Sequence, residues 1–135
     1  MKAVYATGTN YDDPLSVLEV GTMPEPETKP FWSTIRVNSA SVNHHDVWSL
    51  QGVGLSDEQT PMILGTDAAG VLEEDIPVRK GLKAGSEVVL YTFVGTDGAG
   101  VMPGERRSIL SERYAGTMAE YTQVPSANVS PSPRI

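Results

Sequence analysis

The chain has 135 residues, enough for one domain with a core of its own, and it lacks cysteine, which excludes disulfides and thiolate metal ligands. Its formal net charge of −7 argues against nucleic acid or an anionic membrane surface as a partner, because both require clustered Lys and Arg. The 13 glycines and 10 prolines favour turns and short strands over long helices.

The N-terminal segment indicates the compartment. Residues 1–7 contain one lysine and no long apolar stretch, so they do not read as a signal peptide. No window approaches the roughly 18 apolar residues of a membrane span. We therefore expect a cytoplasmic protein.

The first part of the chain predicts three strands. Lys2–Thr7 and Leu15–Val20 have strand character and are separated by a turn at Asn10–Pro14. Residues 21–33 are rich in Pro and Glu and are expected to form an extended loop. Residues 34–42 alternate between apolar and polar side chains, which predicts a strand.

A short helix is predicted from His44 to Gly52. Asn43 is suited to the N-cap position, and the Asp46 carboxylate in the first turn matches the helix dipole. Gly52 is a typical residue just beyond a helix end.

The rest of the chain predicts more strands and one long loop. Residues 95–115 hold many glycines and charges and indicate a surface loop, and residues 125–133 an extended tail. Seven or so short strands with one short helix predict an all-β barrel or sandwich. The strands expected here are 62–64, 68–72, 88–94 and 117–124.

A glycine-rich segment raises the question of nucleotide binding. Gly98–Gly104 has the spacing GxGxxxG, one residue longer than the dinucleotide fingerprint. Pro103 stands where a helix should begin to offer N–H groups to a phosphate. We interpret the segment as a loop and expect no tight binding of a nicotinamide cofactor by this chain alone.

Four sequence blocks occur in a fixed order, at Ser41–Trp48, Pro61–Gly70, Leu82–Val89 and Gly116–Tyr121. Together they resemble the N-terminal, GroES-like catalytic domain of the medium-chain dehydrogenase/reductase family. The resemblance implies a mainly β fold, a partly open GroES-like β-barrel with one or two short helices. It assigns residues 1–130 to this domain and residues 131–135 to the start of a linker towards a Rossmann domain that is absent here.

The zinc-dependent branch of that family keeps metal ligands at positions that match Asn43 and Thr66, with Asp67 in the acidic place. Neither Asn nor Thr is a usual zinc ligand. His44, His45 and Asp46 are consecutive, so on a helix they point about 100° apart and cannot converge on one ion. We predict no metal site.

The spacing of Asn43, Asp46, Trp48 and Gly52 resembles the zinc-free branch, as does the Gly-Thr-Asp turn at residues 65–67. This implies an NADP(H)-dependent reductase of the quinone oxidoreductase or enoyl reductase kind, acting on a small-molecule substrate. The catalytic domain of such enzymes shapes an apolar pocket and contributes little covalent chemistry.

The resemblance and the residue chemistry give six candidate site residues. Asn43 is expected to offer an amide to a substrate carbonyl or to orient the cofactor, and His45 to move a proton. Structural roles remain open: a helix cap for Asn43, a core position for Trp48, a dipole partner for Asp46, an inert surface ring for His45. The candidates are Asn43, His45 and Asp46 as catalytic residues, and Trp48, Thr66 and Asp67 for the substrate.

Charged side chains in the long loop form a separate group. They are most simply a solvated loop face, and His44 is also expected to face solvent. The loop residues are Arg106, Arg107, Glu112 and Arg113.

Two functions remain open from the sequence. The chain is either part of an oxidoreductase, inactive in redox chemistry alone, or a standalone small-molecule binding protein or non-redox enzyme that uses His45 and Asp46 as acid and base. A Rossmann domain could be supplied in cis or in trans. An unpaired strand edge also makes a homodimer plausible.

Overall fold

The computed structural model describes residues 1–77, 81–95 and 107–133. Within these ranges ten strands and one α-helix form, and short 3₁₀ turns lie at Pro14–Val17, Asp57–Gln59 and Ser126–Asn128. The GxGxxxG segment and Arg106 lie outside the described residues. The elements are β1 (Lys2–Ala6), β2 (Leu18–Thr22), β3 (Trp32–Ala40), α1 (His44–Leu50), β4 (Met62–Ile63), β5 (Ala68–Leu72), β6 (Glu87–Leu90), β7 (Phe93–Val94), β8 (Ser108–Ile109), β9 (Tyr121–Pro125) and β10 (Val129–Pro131).

Two antiparallel sheets make up most of the domain. The larger has the strand order β10-β6-β5-β3-β9 and the smaller the order β2-β1-β4, while β7 pairs with β8 alone. The large sheet curls around its buried side chains. The prediction of a mainly β fold, a partly open barrel with one short helix, is confirmed.

The segment before β9 joins the two sheets. Met118 accepts the backbone N–H of Val4 at 2.8 Å and donates its own to Leu64, also at 2.8 Å. Two residues later the Glu120 carbonyl accepts the N–H of Val37 at 2.9 Å. This segment therefore links β1, β3 and the end of β4 across the gap in the barrel.

Three apolar clusters fill the interior of the described part of the chain, and two of them position the site. Alternate residues of the large sheet, among them Ile35, Leu72 and Val88, are almost fully buried and form the main core. A second cluster, which includes Leu50 of α1 and Leu64, packs the helix against the small sheet. This packing sets the position of the start of α1.

Two glycines of the matched blocks are required by close backbone approach. A Cβ at Gly70 would overlap the carbonyl oxygen of Arg36 on the paired strand β3. A Cβ at Gly116 would overlap the carbonyl oxygen of Leu64. Any larger residue would push these strands apart.

The boundaries of several elements differ from the prediction. Strand β2 begins at Leu18 instead of Leu15, because Pro14 starts a 3₁₀ turn. The strand predicted over 88–94 is interrupted, since the amide of Asn128 donates to the carbonyls of Tyr91 and Phe93 at 2.9 and 2.8 Å. The last predicted strand begins at Tyr121 instead of Thr117.

Strands also occur where none was expected. The predicted tail at 125–133 contains β10, which pairs with β6 at the edge of the large sheet. The predicted loop at 95–115 contains β8. Both are two or three residues long, too short for an alternating pattern to be visible.

Candidate functional site

The buried carboxylate of Asp46 fixes the start of α1. One oxygen accepts the backbone N–H of Asn43, the N-cap residue, at 2.8 Å, and the other accepts the N–H of Gly65 at 2.9 Å. Asp46 is 4% exposed; its bond to Gly65 is buried and its bond to Asn43 is partly buried. The helix start is thereby joined to the turn between β4 and β5.

The Asn43 side chain lies against that turn. Its Nδ2 is 3.2 Å from Thr66 Oγ1, 3.2 Å from Asp67 Oδ2 and 3.4 Å from Ser41 Oγ. Three of the predicted site residues thus contact one another. We call the four residues Ser41, Asn43, Thr66 and Asp67 the amide cluster.

The Asp67 carboxylate is the anionic member of the amide cluster. Its Oδ1 accepts the Ser41 hydroxyl at 2.6 Å and the Ser41 backbone N–H at 3.1 Å. Burial is the largest single influence on the pKa of Asp67 and opposes ionisation. The hydrogen bonds from Ser41 and Asn43 together outweigh it, so the pKa of Asp67 lies below its usual range.

A groove of about 360 Å³ borders the amide cluster. Its polar lining residues include Ser41 and Asp67. Its apolar lining residues include Ala68, Val89 and Leu90. A groove lined by apolar side chains and a few polar groups suits a small organic ligand.

His45 has different partners from the amide cluster. Its Nε2 lies 3.0 Å from Glu112 Oε1, and its Nδ1 lies 3.5 Å from Ser49 Oγ. An ionised Glu112 carboxylate can only accept, so with it this contact requires the proton on Nε2. Gln59 donates to the Glu112 carbonyl at 2.9 Å and holds the turn that carries Glu112.

The structure therefore does not bring His45 and Asp46 together. Asp46 bonds to backbone amides, whereas His45 bonds to Glu112 and Ser49. Sequence reasoning placed Glu112 on a solvated loop face. Its distance of 67 residues from His45 leaves no local signal that could have paired them.

Trp48 lies at the surface of α1, not in the core. Its side chain is 48% exposed, and its ring meets the exposed His44 ring edge-on with centroids 4.8 Å apart. An exposed indole is an apolar surface against which a substrate can pack.

The described residues offer no conventional metal site. Within residues 1–77, 81–95 and 107–133, no three His, Cys, Asp or Glu side chains are placed to hold an ion. In the same ranges no helix is long and apolar enough to cross a membrane.

A curled barrel with the amide cluster at its edge defines a GroES-like domain. The family model of the alcohol dehydrogenase GroES-like domain matches residues 29–134, and the chain belongs to this family. Its fold is that of the corresponding domain of medium-chain dehydrogenase/reductase enzymes. No curated protein matches the chain by sequence.

Solved alcohol dehydrogenases resemble the chain over almost its whole length. An NAD-dependent alcohol dehydrogenase is 34% identical, with a TM-score of 0.79, and the match covers 98% of this chain and 40% of that one. A thermostable alcohol dehydrogenase from Pyrobaculum aerophilum, with cobalt and zinc bound, is 26% identical, with a TM-score of 0.78 and coverages of 98% and 41%.

A reductase shares the fold at lower identity. The 2-octenoyl-CoA carboxylase reductase CinF from a Streptomyces species is 20% identical, with a TM-score of 0.78 and coverages of 98% and 38%. The chain thus spans about 40% of the length of these structures.

Proposed function

We propose that the chain is the catalytic-domain portion of a zinc-independent, NADP(H)-dependent oxidoreductase of the quinone oxidoreductase or enoyl reductase kind. The observation that supports it best is the hydrogen bond between the Asn43 amide and the Thr66 hydroxyl. In the zinc-dependent branch, the positions that these two residues match are metal ligands.

The amide cluster does not fit a zinc ion. The Asn43 nitrogen is a donor, not a ligand, and it is directed at the Thr66 hydroxyl and the Asp67 carboxylate. Zinc in proteins prefers thiolate, imidazole and carboxylate ligands. Of these ligand types, the amide cluster contains one, the Asp67 carboxylate. Its polar groups satisfy one another instead.

The cofactor's contribution would be hydride donation, which is the chemistry that NADP(H) supplies when bound. The groove beside Asp67 supports a site for the nicotinamide and the substrate, because apolar side chains and the polar groups of Ser41 and Asp67 line it together. Asn43 and Thr66 are the residues of this chain that we assign to orienting the nicotinamide and the substrate carbonyl. We expect a Rossmann domain, in cis or in trans, to hold the phosphates.

We assign donation to a substrate carbonyl to Thr66, which is 6% exposed and directly precedes the groove-lining Asp67. Because Thr66 Oγ1 accepts from Asn43, its own proton remains available to another acceptor. Asn43 thus holds Thr66 through one of its two N–H groups and Asp67 through the other. Trp48 would form a wall beside them.

His45 and Asp46 have separate roles in this proposal. Asp46 is a positioning residue, since its oxygens hold the backbone of Asn43 and Gly65. His45, oriented by Glu112, is a candidate proton donor at the rim of the site. Their separate partners do not favour the alternative of a non-redox enzyme with an acid–base pair formed by these two residues.

The proposal includes a partner and a compartment. The edge strand β2 exposes Val20 to 75%, so a second copy or another domain could cover it. We expect the protein to act in the cytoplasm, which fractionation of cells would check.

Turnover by the product of the intact reading frame tests the proposal. We expect it to oxidise NADPH with 1,4-benzoquinone or an α,β-unsaturated aldehyde as the acceptor. The loss of NADPH absorbance measures the reaction. The 135-residue chain alone should show no turnover. Asn43→Ala should lower kcat/KM at least about tenfold, equivalent to about 1.4 kcal/mol of transition-state stabilisation.

Asn38→Ala is the matched control, because Asn38 is exposed on β3 and should change kcat/KM less than about twofold. Absence of NADPH oxidation by the intact product would refute the proposal. Turnover by the isolated chain would refute the assignment of the phosphate site to a second domain.

A further inference from the structure

A second cavity of about 300 Å³ lies between the two sheets, away from the amide cluster. Met1 and Ile63 line it from the small sheet, and Trp32 and Thr122 from the large sheet. Pro24 and Pro26 of the loop before β3 cover one side. No member of the amide cluster is among its lining residues.

Aromatic rings form much of its wall. Trp32 is 8% exposed, and its ring lies 5.3 Å from that of Tyr114, centroid to centroid, at an interplanar angle of 51°. Tyr121 also lines the cavity. Lys29 covers one face of Trp32, whereas the half-buried rings of Tyr114 and Tyr121 leave apolar surface against which another ring can pack.

Two cations border the same cavity, although the protein as a whole carries a net charge of −7. The Lys29 ammonium lies 3.8 Å from the centroid of the Trp32 ring and 5.8 Å from that of Tyr114. Arg113 lines the cavity beside Tyr114. Glu25 and Glu27, which alternate with the two lining prolines, are exposed and are not lining residues.

We propose that this cavity binds a small aromatic monoanion, such as an arylcarboxylate. The rings would stack on the body of the ligand, and Lys29 and Arg113 would neutralise its charge. The volume lies at the lower end of the range for ligand sites, which suits one or two fused rings and not a nucleotide. The site is separate from the proposed redox site and does not rest on that function.

Binding of 1-naphthoate tests the proposal, with 1-naphthamide as a neutral compound of the same shape. The chain has two tryptophans, so Trp48→Phe leaves Trp32 as the one indole reporter. We expect saturable 1:1 quenching of its fluorescence by 1-naphthoate and at least fivefold weaker binding of 1-naphthamide. Calorimetry on the unaltered chain repeats the comparison without any substitution.

Arg113→Gln should weaken 1-naphthoate binding at least threefold, because it removes a cation that lines the cavity. Arg113 is exposed, so its substitution should leave the fold intact. Arg36→Gln is the matched control, since Arg36 pairs with Glu73, is not among the lining residues and should leave binding unchanged. Equal binding of the acid and the amide would overturn the proposal. So would an absence of binding, or equal effects of the two arginine substitutions.

Discussion

The Asp46 carboxylate and the Gly65 backbone N–H form a buried hydrogen bond of 2.9 Å that joins the start of α1 to the turn after β4. A helix of seven residues has little stability of its own, so this bond and the one to Asn43 determine where the helix begins. Asn43 carries one of the two anchored amides and Thr66 directly follows the other, so both residues take their positions from Asp46.

Asp46→Ala should therefore destabilise the domain strongly. The substitution leaves the buried N–H of Gly65 and the partly buried N–H of Asn43 without an acceptor, and we expect the free energy of unfolding to fall by about 3 kcal/mol. Asp46→Asn should cost less, because the amide oxygen can still accept one of them. Urea unfolding measures both. The exposed Asp12→Asn is the control, and a loss below about 1 kcal/mol for Asp46→Ala would contradict the role given to this carboxylate.

Gly70→Ala should also be severe. The new Cβ would overlap the carbonyl oxygen of Arg36 and push β5 away from β3 in the middle of the large sheet. We expect a loss of more than about 3 kcal/mol in the free energy of unfolding. Gly8→Ala is the matched control, since the nearest atoms to its added Cβ lie 3.6 and 3.8 Å away. If Gly70→Ala and Gly8→Ala had equal free energies of unfolding, the close approach of β5 to β3 would not limit the stability of the domain.

Several features of the fold could be predicted from short stretches of the sequence. The N-cap at Asn43, the glycine block at 65–70 and the mainly β fold follow from side-chain chemistry within a few residues. The sequence also placed Asn43, Thr66 and Asp67 at one site, through the resemblance, and the structure puts them within hydrogen-bond distance.

Contacts between distant segments could not be predicted in the same way. The pairing of His45 with Glu112 depends on how the turn after β8 meets α1. The strand β10 is three residues long and forms because β6 offers an open edge. Neither leaves a periodic signal, since both are decided by tertiary packing.

The pH dependence of stability should report on Asp67. Its folded-state pKa is lowered, so its ionised form stabilises the fold above the ordinary carboxyl pKa of about 4. This stabilisation is lost as the pH falls through the lowered pKa of Asp67 in the folded state. Asp67→Asn should therefore weaken the domain at pH 6 and flatten the loss of stability in acid, as measured by urea midpoints from pH 2 to pH 6. An acid profile identical to that of the unaltered chain would contradict the ionised cluster.

The contact between His45 and Glu112 should orient the imidazole more than it stabilises the fold. Both side chains are partly exposed, so a double-mutant cycle with His45→Gln and Glu112→Gln should give a coupling energy below about 1 kcal/mol. Long-range ¹⁵N NMR should find the neutral ring protonated at Nε2, and Glu112→Ala should remove this preference. A ring protonated at Nδ1 would contradict the assigned contact.

The central claim is that hydrogen bonds among Asn43, Thr66 and Asp67 stand where the zinc-dependent branch holds a metal. Zinc content and NADPH-dependent turnover of the intact gene product, measured before and after dialysis against a chelator, test it most directly. We predict less than one-tenth of an equivalent of zinc, a value at the level of contamination, and unchanged turnover after dialysis. One zinc per chain whose removal abolishes turnover, and which Asn43→Ala no longer binds, would contradict the account.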